Sequence, residues 1–422
     1  KALVIKPNHA RAHNALGETF IRQKKIEDAI ACYREAISID PGYAQANANL
    51  GAAYFMKGEV QQAVRSNETA LAVEPRHVDA NVNISLILRA EGRVSEAKQH
   101  LDSASAGQTI NIDYATNSRR TVLLLWTKKT GNIPTIEFLF PATINTRVNW
   151  VIESARDDQS DNLPDYDLAF NAMGDADLIG DSIGPLSRFA EGCTTRLLNH
   201  PNKVALTARN NLPVLLDGID NLVVPAVWRF ASSSDWPKSI ADQLPLLIRP
   251  VSSHGGTDLE LVRTESELTR HRSQQPGPVY VTRFVDFRSP DSWFRKYRII
   301  FVDRNPYPYH LAISQDWIVH YYSANMESSP WKLEEEKAFL RDPEAVLGHA
   351  GMRAIESIGK SMDLEYAGID FSITTDKRIL VFEANPTMLV HPENISGLVE
   401  HKNDYVFRIQ DAFEVMLKRF GH

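Results

Sequence analysis

GIDFSITTDKRILVFEANP, Gly368 to Pro386, consists of two alternating apolar runs around the polar turn Thr374 to Arg378. Alternation with a period of two marks half-buried strands, and two such runs about a short polar segment predict a β-hairpin. With the turn centred between Asp376 and Lys377, Asp370 stands directly across from Glu383. Counting by twos puts Asp370, Ser372 and Thr374 on one face with Glu383 and Asn385, and Ile369, Phe371, Ile373, Leu380, Phe382 and Ala384 on the other. Two carboxylates and an amide oxygen thus converge on the polar face of an apolar hairpin. Facing carboxylates repel by an amount comparable to the roughly 0.2 to 1 kcal/mol of an ordinary cross-strand pair, so the arrangement wants a cation. Oxygen-only ligands select a hard metal, and magnesium suits them because it completes its shell with phosphate oxygens and water.

This hairpin resembles the metal-binding strands of ATP-grasp enzymes, the family of D-alanine:D-alanine ligase, glutathione synthetase and the ribosomal-protein glutamate ligases. The steps from Asp370 to Glu383 to Asn385 agree with the family's pattern. The resemblance implies two magnesium ions bridging the phosphates of ATP. One departure is that several relatives carry arginine two residues before the Asp, where this chain has Gly368. Charge in the transition state must then be stabilised by another group.

Working upstream, LPLLIRPVSSHGGTDLELV, Leu244 to Val262, reads as strand, loop, strand. The small or polar loop Ser252 to Thr257, containing Ser253, His254, Gly255 and Gly256, lets backbone N–H groups approach phosphate oxygens. Arg249 falls where the family has a basic residue, more often lysine, on the first strand of its phosphate hairpin, and an arginine would meet phosphate as a planar fork. PVYVTRFVD, Pro278 to Asp286, matches the hinge on which adenine rests, with main-chain recognition expected at Arg283, Phe284 and Val285. FRKYRIIFVD, Phe294 to Asp303, places Lys296 and Arg298 on one strand face, two cations suited to an anionic substrate or a transferring phosphoryl group. His310, His320 and His391 are expected to border the substrate end of the cleft, with His310 among the catalytic candidates. The stretch Asn199 to Phe230 resembles the family's passage between its preliminary and nucleotide domains, and implies that Arg209 reaches the nucleotide phosphates.

The first hundred residues repeat. Pro7, Pro41 and Pro75 lie 34 apart, as do Ala12, Ala46 and Ala80, Ala29, Ala63 and Ala97, and Leu16, Leu50 and Ile84. Small residues at these places let paired helices approach, and proline closes each pair. The pattern resembles the tetratricopeptide repeat, with about three repeats visible and further ones expected upstream of Lys1. Asn47 and Asn81, with Asn49 and Asn83, keep the same step on the helix that lines the concave face in that family. A ladder of amides there could hold an extended peptide by bidentate hydrogen bonds, which implies a peptide or protein partner.

The expected fold is therefore multidomain: an all-α tetratricopeptide solenoid over residues 1–106, a linker at 107–120, a preliminary α/β domain at 121–230 and an α+β ATP-grasp domain at 231–422. In the preliminary domain, Thr121 to Trp126, Val148 to Ile152 and Tyr166 to Ala169 are the expected strands. With 46 basic against 53 acidic residues and a net charge of -7, the chain lacks the broad positive surface that nucleic acid requires. No apolar run approaches the roughly 20 residues of a membrane span. Two cysteines without metal spacing, Cys32 and Cys193, suit a reducing cytoplasm. Taken together, the resemblance implies an ATP- and magnesium-dependent carboxylate–amine ligase acting through an acylphosphate. Two alternatives stay open at this point: a phosphotransferase of the same fold, and a repeat adaptor with an inactive nucleotide domain.

Overall fold

The computed structural model describes residues 9–107, 110–127, 132–152, 163–177, 182–232, 235–251, 253, 258–274, 277–386 and 388–420. The chain divides into two compact units, Lys1–Asn111 and Ile112–His422. Among the described residues no helix is long and apolar enough to cross a membrane.

Among its described residues the first unit has six helices, α1 (Ala10–Arg22), α2 (Ile26–Ile39), α3 (Ala44–Lys57), α4 (Val60–Val73), α5 (Val78–Ala90) and α6 (Val94–Gly107). Alanines spaced by the repeat, Ala29, Ala63 and Ala97 with Ala46 and Ala80, are wholly buried, which is what lets each helix pack closely on the next. Gly58 ends α3 in the left-handed region at φ 85°, and Gly92 takes φ 79° one repeat later. Glycine enters that region without the steric cost other residues bear, and so closes the turn. The asparagine ladder differs from expectation. Asn49 donates to Asn14 Oδ1 at 3.0 Å, Asn83 to Asn67 Oδ1 at 3.0 Å, Asn47 to Tyr43 O and Asn81 to His77 O. Asn49 and Asn83 thus tie neighbouring repeats together, while Asn47 and Asn81 bond back to the start of their own helices. Pro7 lies outside the described residues.

Among its described residues the second unit contains three sheets. The first joins β1 (Ile110–Asp113), β2 (Arg120–Trp126), β3 (Asn145–Val151), β4 (Leu168–Asn171) and β5 (Arg196–Leu198) in the order β1-β3-β2-β4-β5. The pairs β2–β3, β2–β4 and β4–β5 are parallel. Val122 to Leu125 are buried on both faces, the continuous apolar run that a covered parallel strand requires. The second sheet is antiparallel, in the order β7 (Val227–Phe230), β10 (Val279–Arg283), β8 (Leu246–Pro250), β9 (Glu260–Val262). The third runs β12 (Asn305–Ser314), β11 (Phe294–Val302), β13 (Tyr366–Ile373), β14 (Ile379–Asn385), β6 (Leu222–Val223).

The core of the third sheet lies under helices α7 (Pro330–Arg341) and α8 (Pro343–Met362), where Phe339, Ile355 and Ile358 meet Ile299, Phe371 and Ile369. Its other face shares a core with the parallel sheet, through Ile300, Val302 and Tyr366 against Val122, Leu124 and Phe413 of helix α9 (Asn403–Arg419). Polar ties fix the same junction. Asn199, at φ 52°, donates its backbone N–H to Glu365 at 2.7 Å and exchanges amide bonds with the backbone of Tyr366. Arg120 on β2 forks onto Glu414 with two 2.9 Å bonds. These contacts hold the end of β13 still, and β13 carries Asp370.

The β13–β14 hairpin keeps the expected register at its functional end, with Gly368 opposite Asn385 and Asp370 opposite Glu383. Nearer the turn it does not. The register shifts between Asp370 and Phe371, so that Phe371 pairs with Val381 and Ser372 with Leu380. Phe382 is the extra residue of a β-bulge, which side-chain alternation alone does not reveal. Leu380 therefore stands across from Ser372, not Phe382 from Phe371 as strict alternation predicts.

Candidate functional site

Two sheets of the second unit face a cavity of about 350 Å³. From the antiparallel sheet and the hinge after it come Arg249, Arg283, Phe284 and Val285, and from the third sheet Lys296, Arg298, Asp370, Glu383 and Asn385. Arg209, on the short turn Arg209–Asn211, lines it as well. These nine positions and Arg209 thus share one cavity. Arg249 also bonds Ser253, through Nε to Oγ at 3.2 Å and through its fork to the carbonyl oxygen. The phosphate-loop residues His254, Gly255 and Gly256, with Ser252 and Thr257, lie outside the described residues.

The carboxylates are not bare. Asp370, 2 % exposed, receives Arg298 through Nε at 2.6 Å and Nη2 at 2.9 Å, and Lys296 Nζ at 3.0 Å. Strand order produces this, because β11 lies on the other side of β13 and sets Arg298 directly opposite Asp370. Burial works to raise the Asp370 pKa, but the charges of Arg298 and then Lys296 outweigh it and hold the carboxyl well below the usual range. Glu383 pairs with Arg209. Its pKa is lowered too, with burial opposing and Arg209 prevailing. Both acids are therefore ionised at neutral pH. Arg249 forms no ion pair among the described residues; burial first, then repulsion from Arg209, outweighs the pull of Glu383 and Asp175 and lowers its pKa to about 10, which still leaves it charged. The cations expected to point into an open cleft, Lys296 and Arg298, instead clasp Asp370, and a polyanion entering the cavity would meet Arg249 and Arg283, for which no ion pair forms among the described residues.

Two ionised carboxylates facing across a strand pair, with an amide two residues on, fit a hard divalent ion. Among the described residues there is no cluster of three or more His, Cys, Asp or Glu side chains placed to hold a metal, so the fit rests on Asp370, Glu383 and Asn385 alone.

The hinge reads differently in detail. The N–H groups of Arg283 and Phe284 are already given to Ala226 O and Pro245 O, both at 3.0 Å, which leaves Val285 and main-chain carbonyls for a ligand. Asp286 turns back to accept from Arg288 N. The apolar part of the cavity comes from residues the sequence did not flag, Trp317, Phe287 and Phe382, with Trp317 edge-on to Phe284 at 5.8 Å. Nothing in the polar segment around Trp317 marks it beforehand; only the turn after β12 brings it over the hinge. Tyr280 Oη donates to both oxygens of Asp177 at 2.7 Å and approaches Asn210, next to Arg209 in sequence.

His310 is buried at 5 % exposure, stacked on Tyr321 with ring centres 4.8 Å apart. Burial and then Arg298 keep it neutral, with a pKa well below the ordinary histidine value. It lines a second, smaller cavity with His320 and His391.

Family models match the repeats, one described as a TPR repeat over residues 17–58 and one as a tetratricopeptide repeat over residues 48–108. The amino-terminal helices are tetratricopeptide repeats. A solved structure of MamA is 26 % identical over 24 % of this chain, with a TM-score of 0.23, and the chain spans 60 % of the length of MamA. Crystal structures of D-alanine–D-alanine ligase from Bacillus anthracis align over most of the chain. The one complexed with ATP is 11 % identical over 71 % of this chain and 98 % of the ligase, with a TM-score of 0.44. A second gives 14 % identity over 72 % and 98 %, with a TM-score of 0.42. No curated protein matches the chain.

Proposed function

We propose that this chain is an ATP- and magnesium-dependent carboxylate–amine ligase that works through an acylphosphate, on a peptide or carrier-bound substrate recruited by the repeats. In this reading residues 107–120 connect the repeats to a preliminary α/β domain at 121–230, with β1 among them already joined to that domain's sheet, and residues 231–422 are the ATP-grasp domain, whose antiparallel sheet also takes in β7. The observation that carries it is the gathering of Asp370, Glu383 and Asn385 with the cations Arg209, Arg249, Lys296 and Arg298, and Arg283 at the hinge, around one cavity that has an aromatic side.

A substrate carboxylate oxygen attacks the terminal phosphorus of ATP, the bond from that phosphorus to its bridging oxygen breaks, and ADP leaves. An amine nitrogen then attacks the acyl carbon and phosphate departs, with the amine's surplus proton going to phosphate or solvent. Neither step needs a protein nucleophile. Arg249 and Arg209 face the phosphates, while Lys296 and Arg298 lie where the carboxylate approaches, and all four are fixed before charge develops. Phe284, Phe287 and Trp317 enclose the base. Magnesium, held by Asp370, Glu383 and Asn385, would offset phosphate charge.

Incubating the full chain with Mg-ATP, a panel of carboxylates and hydroxylamine tests the reading, because hydroxylamine traps acylphosphates as hydroxamates. ADP together with a hydroxamate is expected, and Asp370→Asn or Glu383→Gln should each reduce the rate by at least about 100-fold. A stable phosphorylated product in place of a hydroxamate would make the protein a phosphotransferase. Unchanged magnesium-nucleotide affinity in both variants would overturn the metal assignment.

A further inference from the structure

The second cavity, about 110 Å³, is roughly a third the size of the first. The two meet at Lys296, Arg298, His320 and Leu389, which line both. Beyond that junction the walls are aromatic. Tyr321 stacks on His310, and Lys402, 1 % exposed, lies over the rings of Tyr321 at 4.0 Å and Tyr309 at 5.1 Å. Its charge is spent, because Nζ bonds Glu393 at 2.5 Å. At the junction, by contrast, two cations face one acid, Asp370, so one positive charge is left over. One polar atom is also left over: His310 Nε2 is buried and has no hydrogen-bond partner among the described residues. A buried polar atom without a partner is destabilising, and a ligand that supplies the partner removes that cost.

We propose that this second cavity holds the acyl substrate, and that it selects a small acid bearing a single negative charge. The carboxylate sits at Lys296 and Arg298 and supplies the partner that His310 Nε2 lacks, and the short chain behind it lies along the wall that Tyr309 and Tyr321 line. The assignment rests on the ligase reading for its role, but not for its chemistry. The charge count makes the selection: one anion neutralises the junction, whereas a second carboxylate would lie beside the paired Lys402 and Glu393 and find no free cation. A free acid and the terminal carboxylate of a peptide present the same group. The size of the cavity admits only a small residue next to it.

The test titrates acetate, propionate, glutarate and a glycine-ended dipeptide into the full chain with Mg-ADP bound, read by saturation-transfer NMR and, with ATP, by the KM for hydroxamate formation. Acetate or propionate should bind at least about tenfold better than glutarate. His310→Leu should raise the acid KM about tenfold and His310→Gln should recover most of it, with the Kd for Mg-ATP changed less than about twofold. Tyr322, 76 % exposed at the rim and bonded to His391, provides a variant that does not test the core: Tyr322→Ala should raise the KM about threefold. Saturation by the free acids or only by the dipeptide tells which source the enzyme uses. Glutarate binding as well as propionate, no binding by any probe, or an unmoved KM in both His310→Leu and Tyr322→Ala would overturn the proposal. If acids bind and His310→Leu abolishes it, yet no hydroxamate forms, the cavity assignment stands and the ligase reading falls. If hydroxamate forms and both variants leave KM unmoved, the reverse holds.

Discussion

Asp370 and His310 lie on either side of Arg298 and respond to it oppositely. The guanidinium and Lys296 hold Asp370 ionised, so its contribution to stability is present above the unfolded carboxylate value of about 3.9 and is lost as pH falls below it. The same charges, added to burial, disfavour protonated His310. Its folded pKa lies below the ordinary 6.5, so as pH falls through that value the unfolded chain takes up the proton first. Stability that is full above about pH 6.5 is then lost at up to about 1.4 kcal/mol per pH unit, until the folded histidine titrates. Urea unfolding at pH 7.5 and 5.5 checks this: the wild-type chain should lose stability across that interval, and His310→Gln should remove most of the slope. An equal slope in both would place the titration elsewhere.

Among the elements, the β13–β14 hairpin carries the site because its two ends are governed by different constraints. At the open end, pairing with β11 on one side and the Asn199 clasp on Tyr366 fix β13, so Asp370 meets Glu383 as alternation requires. Toward the turn, the bulge at Phe382 shifts the register and brings Phe382 and Val381 to the cavity wall. Gly368 belongs to the fixed end, and its missing side chain has a physical reason. A Cβ there would come within 2.6 Å of Met388 Cγ and 3.0 Å of Ile300 Cδ1. The space an arginine would need is taken by Met388, and the cation beside Asp370 comes from β11 instead, as Arg298. Gly368→Ala should cost about 1–3 kcal/mol through overpacking, and Met388→Ala in the same chain should return part of it. A double-mutant cycle by denaturant unfolding reads the coupling; strictly additive effects would show that the two residues do not compete for space.

At the scale of the whole molecule, the chain has two units with separate cores, Ala29, Tyr33 and Tyr54 in one and Phe371, Ile355 and Phe339 in the other. Separate cores predict separable tasks. A chain starting at residue 108 should keep its affinity for Mg-ATP within about threefold and lose most of its affinity for a substrate recruited by the repeats. Calorimetry of the nucleotide and a competition assay with the full chain measure the two effects. Equal loss of both would show that the units depend on each other.

Local pattern determined a good deal by itself. The 34-residue step specified the repeats, because stacked helices need small residues at fixed places. The period of two specified that Asp370, Glu383 and Asn385 share a face, because strand geometry leaves no other choice once register is set. Cross-strand neighbours far apart in sequence were not legible. Arg298 against Asp370 and Arg209 against Glu383 depend on which strand lies beside β13 and on where the Arg209 turn packs, and neither follows from any local periodicity. For the same reason, the bonds of Asn49 to Asn14 and of Asn83 to Asn67 across repeats, and the bulge at Phe382, leave no mark in the local pattern. Trp317, the left-over charge at Lys296 and the unpartnered nitrogen of His310 exist only once the sheets have closed on each other. Sequence alone set which faces carry the chemistry, since that depends on neighbours along one strand; the tertiary structure decided how those charges are paired and what space is left between them, since both depend on desolvation and on contacts between strands that the chain brings together only by folding.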